Sequence, residues 1–238
     1  MPYKPFLFKK FSVNQDRCAM KIGTDGVLLG AWAAVNQNPF SVLDIGAGTG
    51  ILSLMIAQRS NAEQIEAIEI DDNAFEQCTE NFENSPWNDR LFCYHASLQE
   101  FADEIEDKYD LIISNPPFYS DDYKSQNQQR DLARFQDAMP FEHLIESVSK
   151  LLAENGKFSV IIPYKEEENF IGLSAEVNLF PNRLLRVKGN LESEVKRSLI
   201  EFSIKKREVK TEELIIETKR HHYTQDYINL TKEFYLNM

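Results

Sequence analysis

Between residues 41 and 163 the chain alternates short apolar runs with stretches of helical periodicity, and that alternation leaves few folds open. SVLDI (41–45), QIEAIEI (64–70), LFCYH (91–95), YDLIIS (109–114) and KFSVIIP (157–163) read as strands. The more apolar of them are hydrophobic at consecutive positions, the pattern of strands covered on both faces. Helices are expected at 50–59, 72–84, 98–106, 140–153 and 165–178, with Glu154-Asn155-Gly156 closing the fourth as a C-cap. LLRVKG (184–189) and SLIEFSIKK (198–206) read as a closing hairpin-like pair. Residues 224–237 read as a terminal helix packing back through Tyr227, Leu230, Phe234 and Tyr235. The alternation predicts a doubly wound α/β sheet, mostly parallel and seven-stranded, with helices on both faces. A ligand then belongs at the carboxyl ends of the strands, where the strand order reverses.

The first of these strands runs into Asp44-Ile45-Gly46-Ala47-Gly48-Thr49-Gly50, which holds three of the nine glycines in the chain. Glycines there let the backbone approach a ligand closely, and the N–H groups opening the next helix point at it. A dinucleotide fingerprint would need a glycine at 51, where the chain has Ile51. The spacing instead matches the loop of methyltransferases that bind S-adenosylmethionine, a cofactor with no pyrophosphate and with an ammonium group suited to a carboxylate such as Asp44. Asp44, Gly46, Ala47, Gly48, Thr49 and Gly50 are the candidate loop contacts. Glu69, at the end of the second strand, is placed to accept both ribose hydroxyl hydrogens. Ser97, after the third strand, stands where an adenine amine would be held; it serves equally as the N-cap of the helix that follows.

The fourth strand ends in Asn115-Pro116-Pro117-Phe118. Two prolines stop the strand, remove two donors and fix the path as extended. What remains is a rigid, acceptor-rich corner in which the Asn115 side-chain oxygen and the Pro116 carbonyl face one NH₂ group, with Phe118 beside them to stack on a planar ring. The plain alternative is a strand-terminating turn. An exocyclic adenine amine is a poor nucleophile because its lone pair is delocalised into the ring. Two acceptors draw it toward tetrahedral geometry and aim the lone pair at a methyl donor, so transfer rests on orientation and electrostatics. The base must leave its stack, which is least costly in a single-stranded loop.

Charge enters as a question about partners. The 238 residues carry 38 acidic and 26 basic side chains, a net charge of −12 that argues against a uniformly basic nucleic-acid coat. The charge is unevenly spread. Residues 1–30 are net +3 and residues 183–210 net +5, whereas 63–122 hold 17 acids against Arg90 and Lys108. This pattern points to an anionic partner met by the basic N-terminal and 183–210 segments, although such runs are also ordinary solvated faces. No signal-peptide core or membrane span is visible, and three cysteines in no ligand spacing suit a reducing cytoplasm. His221-His222 lack the acidic or cysteine partners of a metal site, and Asn229-Leu230-Thr231 is a sequon by chance. No metal is expected.

DIGAGTG with NPPF resembles the signature pair of class I amino-methyltransferases, which modify adenine N6 or glutamine amides. FKKFSVNQDRCAMKIGTDGVLLGAW, the SPW at 85–87, IISNPPF and HHYTQDYINLTKEFY are together similar to the bacterial tRNA1(Val) adenine-37 N6-methyltransferase family, over essentially the whole chain. The resemblance implies a Rossmann-like methyltransferase fold and methyl transfer from S-adenosylmethionine to an adenine in a tRNA anticodon loop. It assigns Asp44, Gly46, Gly48 and Glu69 to the cofactor and Asn115, Pro116, Pro117 and Phe118 to the base. It also implies that Gly23-Thr24-Asp25-Gly26 opens a helix over the methionine end, adding Thr24 and Asp25 to the candidates. Many relatives have Asp where Ser97 stands. The expected organisation is one domain and a monomer: a cap at 1–40, a core sheet at 41–206 and an extension at 207–238. Competing readings are a protein glutamine methyltransferase, an adenine methyltransferase for another RNA or DNA, a nicotinamide dehydrogenase and an RNA-binding subunit on a relic fold. The short N-terminal segment counts against the first of these, Ile51 against the dehydrogenase, and the intact loop and corner against the relic.

Overall fold

The computed structural model describes residues 4–117 and 139–238. A two-stranded hairpin, β1 (Phe6–Leu7) and β2 (Ser12–Val13), precedes α1 (Thr24–Trp32). Then follow β3 (Ser41–Ile45), α2 (Ile51–Arg59), β4 (Gln64–Glu69), α3 (Asp72–Glu83), β5 (Leu91–His95), α4 (Leu98–Glu104) and β6 (Tyr109–Ser114). The second half holds α5 (Phe141–Leu151), β7 (Leu152–Pro163), α6 (Glu167–Glu176), β8 (Phe180–Asn190), β9 (Val195–Ser203), β10 (Lys210–Lys219), β11 (His222–Tyr223) and α7 (Gln225–Thr231).

Among the described residues nine strands form the main sheet, in the order β11-β10-β8-β9-β7-β6-β3-β4-β5. The pairs β3–β4, β4–β5, β3–β6 and β6–β7 are parallel, while β9 runs antiparallel to both β7 and β8. The seven expected strands are all present, but the count is corrected to nine. β10 lies parallel along β8, and β11 pairs antiparallel with β10. The signal for β10 is weak because it is an edge strand. In KTEELIIETK only Leu214 is fully buried, so neither two-faced burial nor clean alternation marks it.

Period-two geometry sorts the apolar runs to two sides. Val42, Leu111, Ile113 and Ile161 join the core under α1, α2, α3 and α7, while Leu43, Ile45, Ile112, Val160 and Ile162 join the one under α4, α5 and α6. One expected helix end moves. α5 stops at Leu151, and Glu154-Asn155-Gly156 lies inside β7. Gly156 is needed there for close approach, since a Cβ would meet the Tyr109 carbonyl at 2.7 Å where the β6–β7 register shifts. The terminal helix is shorter than expected; Phe234 beyond it is still buried, and Tyr235 packs against Phe8 with ring centroids 6.0 Å apart.

Candidate active site

The site forms where strand order reverses, at the carboxyl ends of β3, β4 and β6. The glycine loop leaves β3 with Gly46, Gly48 and Gly50 at φ of +71°, +55° and +77°, a region that L-residues enter at a cost. The three glycines differ in what surrounds them. A Cβ at Gly46 or Gly48 would meet nothing within 4 Å among the described residues, so those positions keep backbone open to a ligand. A Cβ at Gly50 would strike Phe82 at 2.5 Å and Cys78 Sγ at 2.9 Å, so that glycine is required for packing against α3. Ala47 and Thr49 turn their side chains inward and can meet a ligand only through backbone. Thr49 accepts at its carbonyl from buried Asn81 Nδ2 (2.9 Å), which also donates to the Asn14 carbonyl (2.8 Å). Asn81 thus ties the N-terminal segment to the loop, and its place inside a helical run hid it from sequence reasoning.

Asp44 lies beneath the loop, fully buried. α2 has Gly50 as its N-cap and no side chain there to accept, so Asp44 Oδ2 takes the Ser53 N–H (3.1 Å) and hydroxyl (2.8 Å) instead. Its Oδ1 has no hydrogen-bond partner among the described residues. Burial pushes this carboxyl up to about 7, the Ser53 hydrogen bonds oppose the shift, and the Glu69 charge adds to it. Burial leaves Asp44 able to act on a ligand only as a charge under the loop, not by open contact. An orphaned carboxylate oxygen behind an open glycine backbone fits a cationic ligand.

Glu69 is fixed by three amides, accepting from Gly48 N at Oε2 (2.7 Å) and from Ile70 N and Asp71 N at Oε1 (2.9 and 3.0 Å). Its lone pairs beyond those bonds suit vicinal hydroxyls. A cleft of about 230 Å³ opens beside it, lined by Gly46, Glu69, Ile70, Ser97, Leu98 and Met139 among others. Ser97 is the N-cap of α4, in a capping box with Glu100, and also borders the cleft. Ile70, Leu98 and Met139 were not among the sequence candidates. Ile70 offered a signal: at 65% exposure it leaves a large apolar surface between Glu69 and Asp71, as a site for a planar ring would.

β3 and β6 are in register, with Ile45 opposite Ser114, so Asn115 leaves its strand alongside Gly46. The Ser114 hydroxyl fastens the two strand ends by donating to the Ile45 carbonyl (2.9 Å). Asn115 and Pro117 are half-buried and Pro116 buried; Phe118 lies outside the described residues. Thr24 and Asp25 open α1, as the turn requires, with Gly23 as N-cap. α1 packs at its start on α2, a Cβ at Gly26 lying 3.4 Å from Ile51. Asp25 has a protein partner, Arg197 Nε of β9 at 2.8 Å, while Thr24 is exposed.

The basic segments come apart in three dimensions. β9 ends next to the start of β7, so Lys205, Lys206 and Arg207 lie at the edge of the sheet opposite the site, with Lys205 on Asn155. Lys196 and the β10–β11 turn with Lys219 and Arg220 lie at the carboxyl edge, on the site's side, all three exposed. At the N-terminus, Lys9 donates to the Lys232 and Met238 carbonyls, Arg17 pairs with Glu76 and Glu80, and Lys21 donates to the Gln15 and Cys18 carbonyls. Among the described residues no cluster fits a metal, and no helix is long and apolar enough to cross a membrane.

Sheet order, glycine loop and proline corner together define a class I methyltransferase. The family model described as methyltransferase small domain matches residues 27–177. The crystal structure described as a predicted O-methyltransferase of Agrobacterium tumefaciens superposes with a TM-score of 0.68 at 19% identity, over 88% of this chain and 96% of that one. The chain belongs to the tRNA1(Val) (adenine(37)-N6)-methyltransferase family. It is 63% identical to the member from Flavobacterium psychrophilum over 98% of this chain and 100% of that protein. With the member from Christiangramia forsetii it shares 57% identity over the full length of both.

Proposed function

We propose that this chain transfers the methyl group of S-adenosylmethionine to N6 of adenine 37 in tRNA1(Val). The observation that carries the reading is the register of β3 and β6, which sets the Asn115 corner beside the open glycine backbone in a chain similar to these methyltransferases from end to end. The cofactor, when bound, supplies a methyl group on a positively charged sulfur, open to in-line displacement. Gly46, Gly48 and Glu69 would hold it, with Asp44 beneath and Ile70 against its adenine. Asn115 Oδ1 and the Pro116 carbonyl accept from the amine hydrogens and orient the nitrogen lone pair, and Phe118 is assigned to the ring face.

The RNA is read as lying along the carboxyl edge, met by the 183–210 segment through its carboxyl-edge half and by exposed cations of the N-terminal segment, Lys4 and Lys10 among them. We read the chain as a monomeric cytoplasmic enzyme of a single domain, with residues 1–40 as its cap; that one polypeptide supplies Asp44, Glu69 and Asn115 is in keeping with a site that needs no second copy.

The test is radiolabelled methyl transfer to total tRNA, ribosomal RNA, DNA and protein, followed by nucleoside analysis. N6-methyladenosine in tRNA alone is expected. Asn115→Ala should lower turnover about a hundredfold or more while cofactor affinity stays within about twofold; near-normal turnover would remove the corner from the mechanism.

A further inference from the structure

At the carboxyl edge next to the corner, two side chains that follow β7 and one of β8 form a fixed unit. Ser114 of β6 pairs with Val160 of β7, so the corner leaves the sheet beside β7, which continues in the sheet to Pro163. β6 runs into Asn115-Pro116-Pro117. β7 runs through Ile161, Ile162 and Pro163 to Tyr164, which is 39% exposed although aromatic. The Arg186 guanidinium of β8 lies over the Tyr164 ring, 5.4 Å from its centroid. Arg186 is held by the Glu167 carboxylate, with Nε 3.2 Å from both oxygens and Nη2 2.6 Å from Oε1. Glu167 is buried, at 7% exposure, and also accepts from the Ser198 hydroxyl of β9.

Burying a carboxylate costs folding energy that its ion pair repays only in part, and an apolar residue would pack there without that cost. What the arrangement secures is geometry. A planar cation is locked over an aromatic ring at the rim of the site. Such a ring stacks a nucleotide base, and a guanidinium so fixed still presents N–H groups to a phosphate.

We propose that Tyr164, backed by Arg186, is a stacking shelf for a base flanking the methylated adenine, and that Glu167 positions the shelf. The proposal rests on the reading of the chain as a tRNA adenine methyltransferase. A base stacked there holds the strand next to the extruded adenine and lessens its tendency to return to the loop.

The test uses the full chain and an anticodon stem-loop RNA with 2-aminopurine replacing, in turn, each base flanking the target adenine. Its emission is quenched by stacking. In the wild-type complex one of the two positions should be quenched, and Tyr164→Ala should restore emission there. The same substitution should lower kcat/KM for the RNA roughly tenfold, and Tyr164→Phe, which keeps the ring, should keep both readouts. Cofactor affinity unchanged in Tyr164→Ala shows that the variant is folded. Equal emission from wild type and Tyr164→Ala at both positions, or a kcat/KM within twofold, overturns the shelf. Fluorescence reads stacking whether or not methyl is transferred, so failure of the wild type to methylate tRNA is seen separately as failure of the parent reading.

Discussion

Asp44 shows how one side chain can trade stability for binding. Its folded carboxyl sits near 7 because burial disfavours the charge, whereas the unfolded chain releases this proton at ordinary carboxylate pH. Across the window from about 4 to 7 the unfolded state therefore binds fewer protons than the folded one, and the cofactor-free protein loses stability as pH rises. Above that window the loss is complete, on the order of a few kcal/mol. Asp44→Asn keeps an acceptor for Ser53 and removes the charge. Its denaturation midpoint is expected to lie above that of wild type at pH 8 and to converge with it below pH 4. The same variant should bind S-adenosylmethionine at least about tenfold more weakly, because the negative charge under the loop is gone. A wild-type slope retained in Asp44→Asn would assign the pH dependence to another group. Sequence pointed to Asp44 as a carboxylate suited to an ammonium group; its burial beneath the loop depends on α2 packing, which the motif does not encode.

At the scale of elements, the glycine loop separates packing from binding. Gly50→Ala must drive a methyl into Phe82 and Cys78 at positive φ, so its main effect should be on folding, a loss of about 2–4 kcal/mol. Gly48→Ala meets no atom of the described residues and carries the backbone strain, about 1–2 kcal/mol. Its larger effect should be on cofactor affinity. Melting curves and titration calorimetry on the pair check the split, and equal stability loss in both would contradict it. Ser97 gives a second test. As the cap of α4, Ser97→Ala should cost about 1 kcal/mol, while Ser97→Asp preserves the cap and should restore stability. The N-cap at Ser97 was legible in the sequence, as were β3, β4, β6 and β7 in their two-faced apolar runs. The Gly156 signal misled because a C-cap glycine and a close-packed strand glycine look alike until the neighbouring strand is known.

For the whole molecule, the sheet decides which charges act together. Neutralising Lys196, Lys219 and Arg220 on the carboxyl edge should reduce the salt slope of tRNA binding by about one for each phosphate that no longer meets a cation. Neutralising Lys205, Lys206 and Arg207, on the opposite edge, should change it less. Binding measured between low and moderate salt for both triple variants separates the two surfaces, and a larger effect from the second set would place the RNA across the far edge.

The order of strands and helices from β3 to β9, the glycine loop, the proline corner and the acidic end of β4 follow from sequence alone, because each is a short-range pattern of burial or backbone restriction. Pairing and register required the tertiary structure, since they join segments that sequence leaves independent. β10 became a strand only by covering β8, Asn81 reached the loop only through packing of α3, and the cations of 183–210 divided between two edges because β8 and β9 run in opposite directions. Tyr164, Glu167 and Arg186 meet for the same reason: Arg186 stands opposite Ser198 in the β8–β9 ladder, and only that register brings its guanidinium to the end of β7.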